Sequence, residues 1–377
     1  DFYLGKFDTA ESRKGFDRLI GEWLSLGRPE EGIKERLTVS ELIVAYWREA
    51  QGRYQRFHST GELPCIKQAL KPLQLLYGNT AAARLGPLAL KAVRAEMLKS
   101  GWCRNVVNRQ ILRLKQMFKW AVENELVPPS VYHGLQAVAG LKRGRCEARE
   151  TNPVRPVPNH FVDATKPYVA RQVWAIIELQ RLTGMRSGEV VVMRGRDLDM
   201  TGPIWFYQPE SHKTQHYGHE RVVELGPRAQ AVIKPFLKPD VEAYLFSPRD
   251  AVTEQQALRR SRRKCKVQPS QQNRSSPNPK RTPSGRYTAD SYRRAITRAC
   301  DKADVEAKKK LPPSDEPMRV IPRWHPHQLR HNFATAVRKQ YGIEIARILL
   351  GHRSVAVTEI YAEADRTKAR EIMTKIG

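Results

Sequence analysis

Between Arg104 and Leu126 the apolar residues recur at helical spacing. Val107, Ile111, Leu114, Phe118 and Ala121 fall on one stripe, and Pro128 and Pro129 close the segment. An amphipathic helix is the expected element. Arg104, Arg109, Arg113 and Lys119 occupy other positions of it and make a basic face. Upstream, Thr38 and Glu41 have capping-box spacing ahead of Leu42, Ala45 and Tyr46. Pro87 suits the first turn of a further helix. Residues 38–140 therefore read as all-helical. Residues 1–37 read as one more amphipathic helix, capped by Asp8 or Thr9, with Phe16, Leu19, Ile20, Trp23 and Leu24 on its packing face.

Residues 141–160 break the period. Lys142, Arg143 and Arg145 come first, then Pro153, Pro156 and Pro158, which favour extended chain. This is the expected interdomain linker. Residues 161–377 make a second large unit. Val173, Ile176, Ile177 and Gln180 predict a helix that ends at Thr183-Gly184-Met185. IWFYQP (204–209) and ERVVEL (220–225) read as strands joined by a polar turn carrying Lys213. From about residue 254 the pattern is lost. Residues 258–287 hold ten Lys or Arg and no acid, so 250–287 reads as a flexible basic insertion. Tyr292, Ile296 and Ala299 restart a helix. Three more follow at roughly 328–341, 343–350 and 354–363. A last short one places Ala369, Ile372, Met373 and Ile376 on one face, a candidate for docking into a neighbouring copy. The fold class is mainly α with a small β-sheet.

Charge changes this picture from architecture to partner. Lys plus Arg number 66 against 39 Asp plus Glu, a formal net charge of +27. The excess runs through the segments after residue 37 rather than through one tail, so a polyanion is the expected partner. The basic half of the linker is placed to follow a DNA backbone between domains. No run of about 18 apolar residues is present, so no membrane span is expected. The first residues lack the apolar core of a signal peptide. Five widely spaced cysteines without a CxxC pair read as free thiols in a reducing cytosol. A nucleoid-associated protein of prokaryotic type is the expected setting.

The chemistry is concentrated in a few short stretches. TGMRSGE supplies Arg186 and Glu189, and ESHKTQ supplies Lys213. HPHQLRH supplies His327, Arg330 and His331, LLGH supplies His352, and EIYAEAD supplies Tyr361. A phenol has an ordinary pKa near 10, so a phenolate at pH 7 costs roughly 4 kcal/mol unless cations or a base assist. Two guanidiniums offer planar forks to the non-bridging oxygens of a phosphate. A metal reading fits less well. His327 and His331 are four apart, but the zinc-protease pattern needs a Glu where Gln328, Leu329 and Arg330 stand. His212, His216 and His219 sit in a loose turn. No GxxxxGK[ST] loop implies ATP. No metal and no cofactor are expected.

These motifs, in this order and spacing, resemble the tyrosine recombinases, the phage-type integrases. The resemblance covers about 165–365, and residues 38–140 are similar to the family's core DNA-binding domain in size and placement. It implies a helical core-binding domain plus a mixed α/β catalytic domain that clamp duplex DNA from opposite sides. It implies Tyr361 as nucleophile, forming a 3′-phosphotyrosine, and Arg186 and Arg330 as the phosphate clamp. Lys213 would protonate the leaving 5′ oxygen. His327 would assist proton transfer near the nucleophile, and His352 would hydrogen-bond a phosphate oxygen. Glu189 would support the site from behind, and His331 would orient its neighbours. A homo-tetramer on two double-stranded DNA duplexes is implied, as is a site-specific recombinase of a mobile element. Two alternatives share the residues or the fold: a type IB topoisomerase-like DNA-relaxing enzyme, and a DNA-binding regulator that does not cut.

Overall fold

The computed structural model describes residues 9, 13–14, 37–56, 61–210, 221–269, 282–310, 319–362 and 373–374. Most of the expected first helix, with its whole stripe, Lys213 and its turn, and Ala369, Ile372 and Ile376 lie outside the described residues. The chain divides into two compact units, residues 1–152 and 153–377.

Among the described residues of the first unit, five helices surround one core. They are α1 (Val39–Arg56), α2 (Glu62–Tyr77), α3 (Pro87–Lys99), α4 (Arg104–Glu123) and α5 (Pro129–Gln136). The capping box forms: Thr38 N–H donates to Glu41 Oε2 at 2.8 Å, and Glu41 N–H donates to Thr38 Oγ1 at 3.2 Å. Pro87 occupies the first turn of α3. The α4 stripe is buried at Val107, Ile111, Leu114, Phe118 and Ala121, against Leu42, Leu73, Val93 and Leu135 from the other four helices. Truncating Ile111, Leu114 or Phe118 to alanine costs about 2–5 kcal/mol.

The unit boundary falls inside the segment expected as a linker. Residues 141–150 pack back on α4. Asn108 holds Leu141 through both its amide groups, at 2.8 and 3.0 Å, and Arg104 N–H donates to Arg149 O at 3.1 Å.

The second unit opens with the short α6 (Asn159–Asp163), then α7 (Arg171–Thr183) and the one-turn α8 (Ser187–Val190). Next come β1 (Leu198–Asp199), β2 (Trp205–Tyr207) and β3 (Val223–Leu225). They form an antiparallel sheet in that order, with Leu198 opposite Tyr207 and Trp205 opposite Leu225. Trp205 and Tyr207 face the core and Phe206 faces out, the alternation a one-sided sheet requires. Helices α9 (Pro227–Ile233), α10 (Pro248–Ser261) and α11 (Ala289–Lys308) follow. Then come α12 (Pro326–Tyr341), α13 (Ile343–Leu350) and α14 (Val355–Tyr361). α12 packs on α7, and α13 and α14 pack on α12.

One expectation is corrected here. The basic stretch does not begin as irregular chain, because α10 runs to Ser261. Ser247 caps it by accepting from the N–H groups of Arg249 and Asp250 at 3.1 and 3.4 Å. Pro248 fills the first turn, Asp250 sits at the N-terminal end and Arg259 and Arg260 at the C-terminal end, matching the helix dipole. The helix was hidden from periodicity because none of its residues is buried.

Candidate active site

Three turns converge in the second unit, and each has a local reason for its shape. α7 ends on Gly184 in the left-handed region, φ +64°. A Cβ there would lie 2.4 Å from Phe333 Cδ1 and 2.9 Å from Leu350 Cδ2, so packing as well as conformation requires glycine. Buried Gln180 anchors the turn from behind. Its Nε2 donates to Met185 O at 2.8 Å, and its Oε1 accepts from the Tyr292 hydroxyl of α11 at 2.9 Å.

Arg186 caps α8. Glu189 Oε2 accepts the Arg186 N–H at 2.9 Å, and Oε1 accepts from Nη1 at 2.6 Å. The Tyr207 hydroxyl donates to Glu189 O at 2.7 Å, tying α8 to the sheet. Burial pushes the Glu189 carboxyl up. Arg221 and Arg186, with the hydrogen bonds from Arg186, more than offset this and hold it below the usual carboxylate range.

Arg330 lies on the first turns of α12 and is fully buried. Nη1 donates to Gly184 O at 2.6 Å, and Nη2 donates to Leu350 O at 2.7 Å and to His352 Nε2 at 2.8 Å. Both carbonyls stand at helix C-termini, those of α7 and α13, where the backbone dipoles concentrate negative charge. The Nε–H has no hydrogen-bond partner among the described residues. Burial first, then the charge of Arg186, pushes the guanidinium down to about 9, which leaves it protonated at pH 7.

The tautomer of His352 follows from its neighbours. Arg330 can only donate, so His352 Nε2 accepts and carries no proton. The proton is therefore on Nδ1 and donates to Thr358 Oγ1 at 3.0 Å. Burial, then Arg330, Arg186 and Arg221, push this imidazole down to about 3, so it is neutral at pH 7. Gly351, at φ +62°, makes the LLGH turn possible. A Cβ there would meet Arg221 Nη1 at 2.7 Å.

Tyr361 closes α14 with its ring among three imidazoles. Ring centroids lie 5.2 Å from His327, 4.9 Å from His331 and 4.9 Å from His352. Arg330 Cζ stands 5.3 Å from the Tyr361 centroid. Arg338 Nη1 fixes the end of the helix by donating to Ala362 O at 2.8 Å. His327 is exposed. Desolvation by its ring neighbours, then His331, Arg330, His325 and Arg186, lower its pKa below the usual imidazole range.

The structure thus brings Arg330, His327, His331, His352 and Tyr361 together, and the charge of Arg186 acts on Arg330 and both of His327 and His352. Among the described residues no group of three His, Cys, Asp or Glu is arranged to hold a metal, and no helix is long and apolar enough to cross a membrane.

The basic residues of the first unit divide in two. Arg104 pairs with Glu150, Arg113 with Glu62 and Lys119 with Glu123. Arg109, Lys142, Arg143 and Arg145 are exposed and have no ion pair among the described residues.

Two site residues were missed in the sequence. Arg221, 5% exposed, lies 3.7 Å from Glu189 and donates to Leu349 O at 3.3 Å, linking α8 to α13. Thr358, fully buried, is the acceptor for the His352 Nδ1–H that Arg330 leaves on that nitrogen. The three-residue step from Thr358 to Tyr361 puts both on one side of α14, which is the only hint the sequence offered.

A tyrosine set among imidazoles beside a buried guanidinium, on this helical scaffold, defines a tyrosine-type site-specific recombinase. The phage integrase family model matches residues 159–368, and the chain belongs to that family. No curated protein sequence matches it. Among solved structures, it is similar to a lambda integrase dimer bound to a COC′ core site, with TM-score 0.59 and 15% identity over 94% of this chain and 87% of the other. It is also similar to the Tn1549 transposon integrase in complex with transposon right-end DNA, with TM-score 0.58 and 16% identity over 90% of this chain and 99% of the other. A lambda integrase tetramer bound to a Holliday junction gives TM-score 0.53 and 14% identity over 94% and 90%. At these identities the likeness speaks for the fold.

Proposed function

We propose that the protein cuts and rejoins duplex DNA at specific sites through a covalent 3′-phosphotyrosine on Tyr361, without metal or ATP. The observation that carries this is the seat of the Tyr361 ring, about 5 Å from three imidazoles and from Arg330 of the same chain. In the forward step Tyr361 Oη bonds to phosphorus and the bond to the 5′ oxygen breaks. The phenol proton passes to neutral His327. The 5′ oxygen takes a proton, for which Lys213 is the proposed donor, and leaves as a hydroxyl. A 5′ hydroxyl of another strand reverses the step. The phosphodiester energy is kept in the protein–DNA bond, so no nucleotide is consumed.

Arg330 and Arg186 stabilise the five-coordinate phosphorus, where negative charge gathers on the non-bridging oxygens. Support comes from the unpartnered Arg330 Nε–H and from the Glu189 strut under Arg186. Glu189 and His331 act by holding their neighbours. Arg109, Lys142, Arg143 and Arg145 are the proposed backbone contacts of the first unit. Arg104, Arg113 and Lys119 join them only by leaving their carboxylates. Integrases of this fold are seen on DNA, and lambda integrase as a tetramer on a junction, which supports a homo-tetramer on two duplexes here.

The test is a pool of nicked suicide duplexes with randomised cores, incubated in EDTA. The wild-type chain should give an SDS-stable protein–DNA band, and Tyr361→Phe should bind the pool and give none. A band that persists in Tyr361→Phe sinks the assignment.

A further inference from the structure

We infer that the C-terminal end of α10 and the residues after it, Arg259 to Lys266, form a second DNA-backbone contact, apart from the one that holds the scissile phosphate. The inference rests on the recombinase reading for the presence of duplex DNA.

Three observations carry it. Charge comes first. Arg259, Arg260, Arg262, Arg263, Lys264 and Lys266 are six cations within eight residues, all exposed, and none forms an ion pair among the described residues. No acid occurs between Glu254 and Asp290. Elsewhere in this unit exposed cations without an ion pair, such as Arg228, Arg298 and Arg353, are spread out, and Arg171, Arg181, Arg194, Arg196, Arg319 and Arg323 each have a carboxylate partner. Six like charges packed into eight residues repel one another, so this array is locally unfavourable unless an anion lies against it.

The second observation is mounting. α10 buries none of its residues, so packing does not explain its presence. It is held at its first half instead. Asp250 pairs with Lys238 at 2.6 Å, and Glu254 pairs with Arg171 at 2.7 Å, whose guanidinium lies 4.5 Å over the Phe236 ring. The acidic half is the anchor and the basic half is the presented surface.

The third is position. Arg171 opens α7 and Gly184 follows its end, thirteen helical residues away, which is roughly 20 Å. The α10 anchor is therefore distant from the Gly184 turn that holds Arg330. The six cations are mounted from that far end, and none of them is among the charges that act most on Arg330, His327 or His352.

Duplex DNA fits better than the alternatives. It carries one charge per ~1.7 Å of axis, a density that six cations in a short arc can match. Binding at the catalytic site raises the local concentration of the same duplex. A membrane-surface helix needs an apolar stripe opposite its cations, and α10 shows only Val252 and Leu258 as exposed large apolar residues.

The experiment compares the full chain with a sixfold variant, Arg259→Gln, Arg260→Gln, Arg262→Gln, Arg263→Gln, Lys264→Gln and Lys266→Gln. Affinity for a random 40-base-pair duplex is read by anisotropy across a salt series. Each lost phosphate contact should flatten the slope of log K against log salt by about 0.9, so a flattening of about 3 or more is expected. Weakening of at least tenfold at 0.1 M salt should accompany it. An unchanged slope overturns the inference, as does a loss confined to an RNA helix or to phosphatidylserine vesicles assayed beside the duplex. The suicide-duplex pool separates the two readings. If wild-type chain forms its covalent band while the slope is unchanged, the second contact fails alone. If no band forms, the recombinase reading fails, and the slope still decides whether this surface grips DNA.

Discussion

Thr358→Val tests the tautomer assigned to His352, because it changes one hydroxyl into a methyl of nearly equal size. Thr358 is fully buried, and His352 is 6% exposed. With Nε2 committed to Arg330 at 2.8 Å, the Nδ1–H has Thr358 Oγ1 as its acceptor at 3.0 Å. Valine leaves that donor buried and unpaired, at a cost of about 1–3 kcal/mol. The added methyl returns about 0.8 kcal/mol of apolar burial. The net loss, up to about 2 kcal/mol, should lower Tm by as much as about 4–8 °C in a unit of this size. Thr358→Ser keeps the hydroxyl and should retain the tautomer, with only a small packing loss. The assay is calorimetry alongside imidazole ¹⁵N NMR, which reports the protonated nitrogen directly. A wild-type spectrum with the proton on Nε2, or a valine variant as stable as wild type, would refute the reasoning.

Two further outcomes are expected of the same cluster. Glu189→Gln removes the one carboxylate that Arg186 and Arg221 share, a change worth about 3 kcal/mol for a buried pair. A bound phosphate restores negative charge, so added duplex should raise the Tm of this variant more than that of wild type, and an equal or smaller rise would defeat the charge-balance account. Acid should destabilise the protein through His352: its folded pKa of about 3 lies below the unfolded value near 6.5, so the unfolded chain binds the extra proton. Stability is complete above about pH 6.5 and falls as pH drops from there toward 3, by about 1.4 kcal/mol at pH 5.5. A flat melting temperature between pH 7.5 and 5.5, or the same slope in His352→Asn, would count against it.

How far the sequence could be read depended on whether a feature repeats locally. The α4 stripe, the Thr38–Glu41 cap, the two strands around Lys213 and the last three helices all announce themselves within one turn or one alternation. The site motifs were legible for a related reason: glycines at 184 and 351 mark forced backbone turns beside arginine or histidine. What stayed hidden was long-range pairing. Glu62 meets Arg113 from 51 residues away and Glu150 meets Arg104 from 46, so a helix that read as an open basic face carries two long-range ion pairs. α10 was hidden for the opposite reason. It is held by a cap and ion pairs, and a hydrophobic period is absent where nothing is buried. Arg221 looked like one more cation in a basic chain, and only the fold reveals that it bridges Glu189 and α13.

The hydroxyl at position 358 also resolves a conflict in the site. In the proposed reaction His352 hydrogen-bonds a phosphate oxygen, which requires a proton on Nε2. In the free protein Nε2 is bare and occupied as the acceptor of Arg330. Protonating the ring is an expensive way out, since raising a pKa from about 3 to 7 takes about 5 kcal/mol. Moving the proton costs far less. A phosphate oxygen can replace Nε2 as the acceptor for Arg330 Nη2, and the imidazole can then carry its single proton on Nε2 and donate it to the phosphate. Nδ1, now bare, needs a donor, and the Thr358 hydroxyl can rotate from accepting to donating. Both tautomers are satisfied by the same neighbour without a change of net charge. Duplex DNA bound to Tyr361→Phe, which halts at the uncleaved stage, should therefore shift the His352 proton from Nδ1 to Nε2. Retention of the Nδ1 proton in that complex would leave His352 as an orienting partner of Arg330 and remove it from the phosphate.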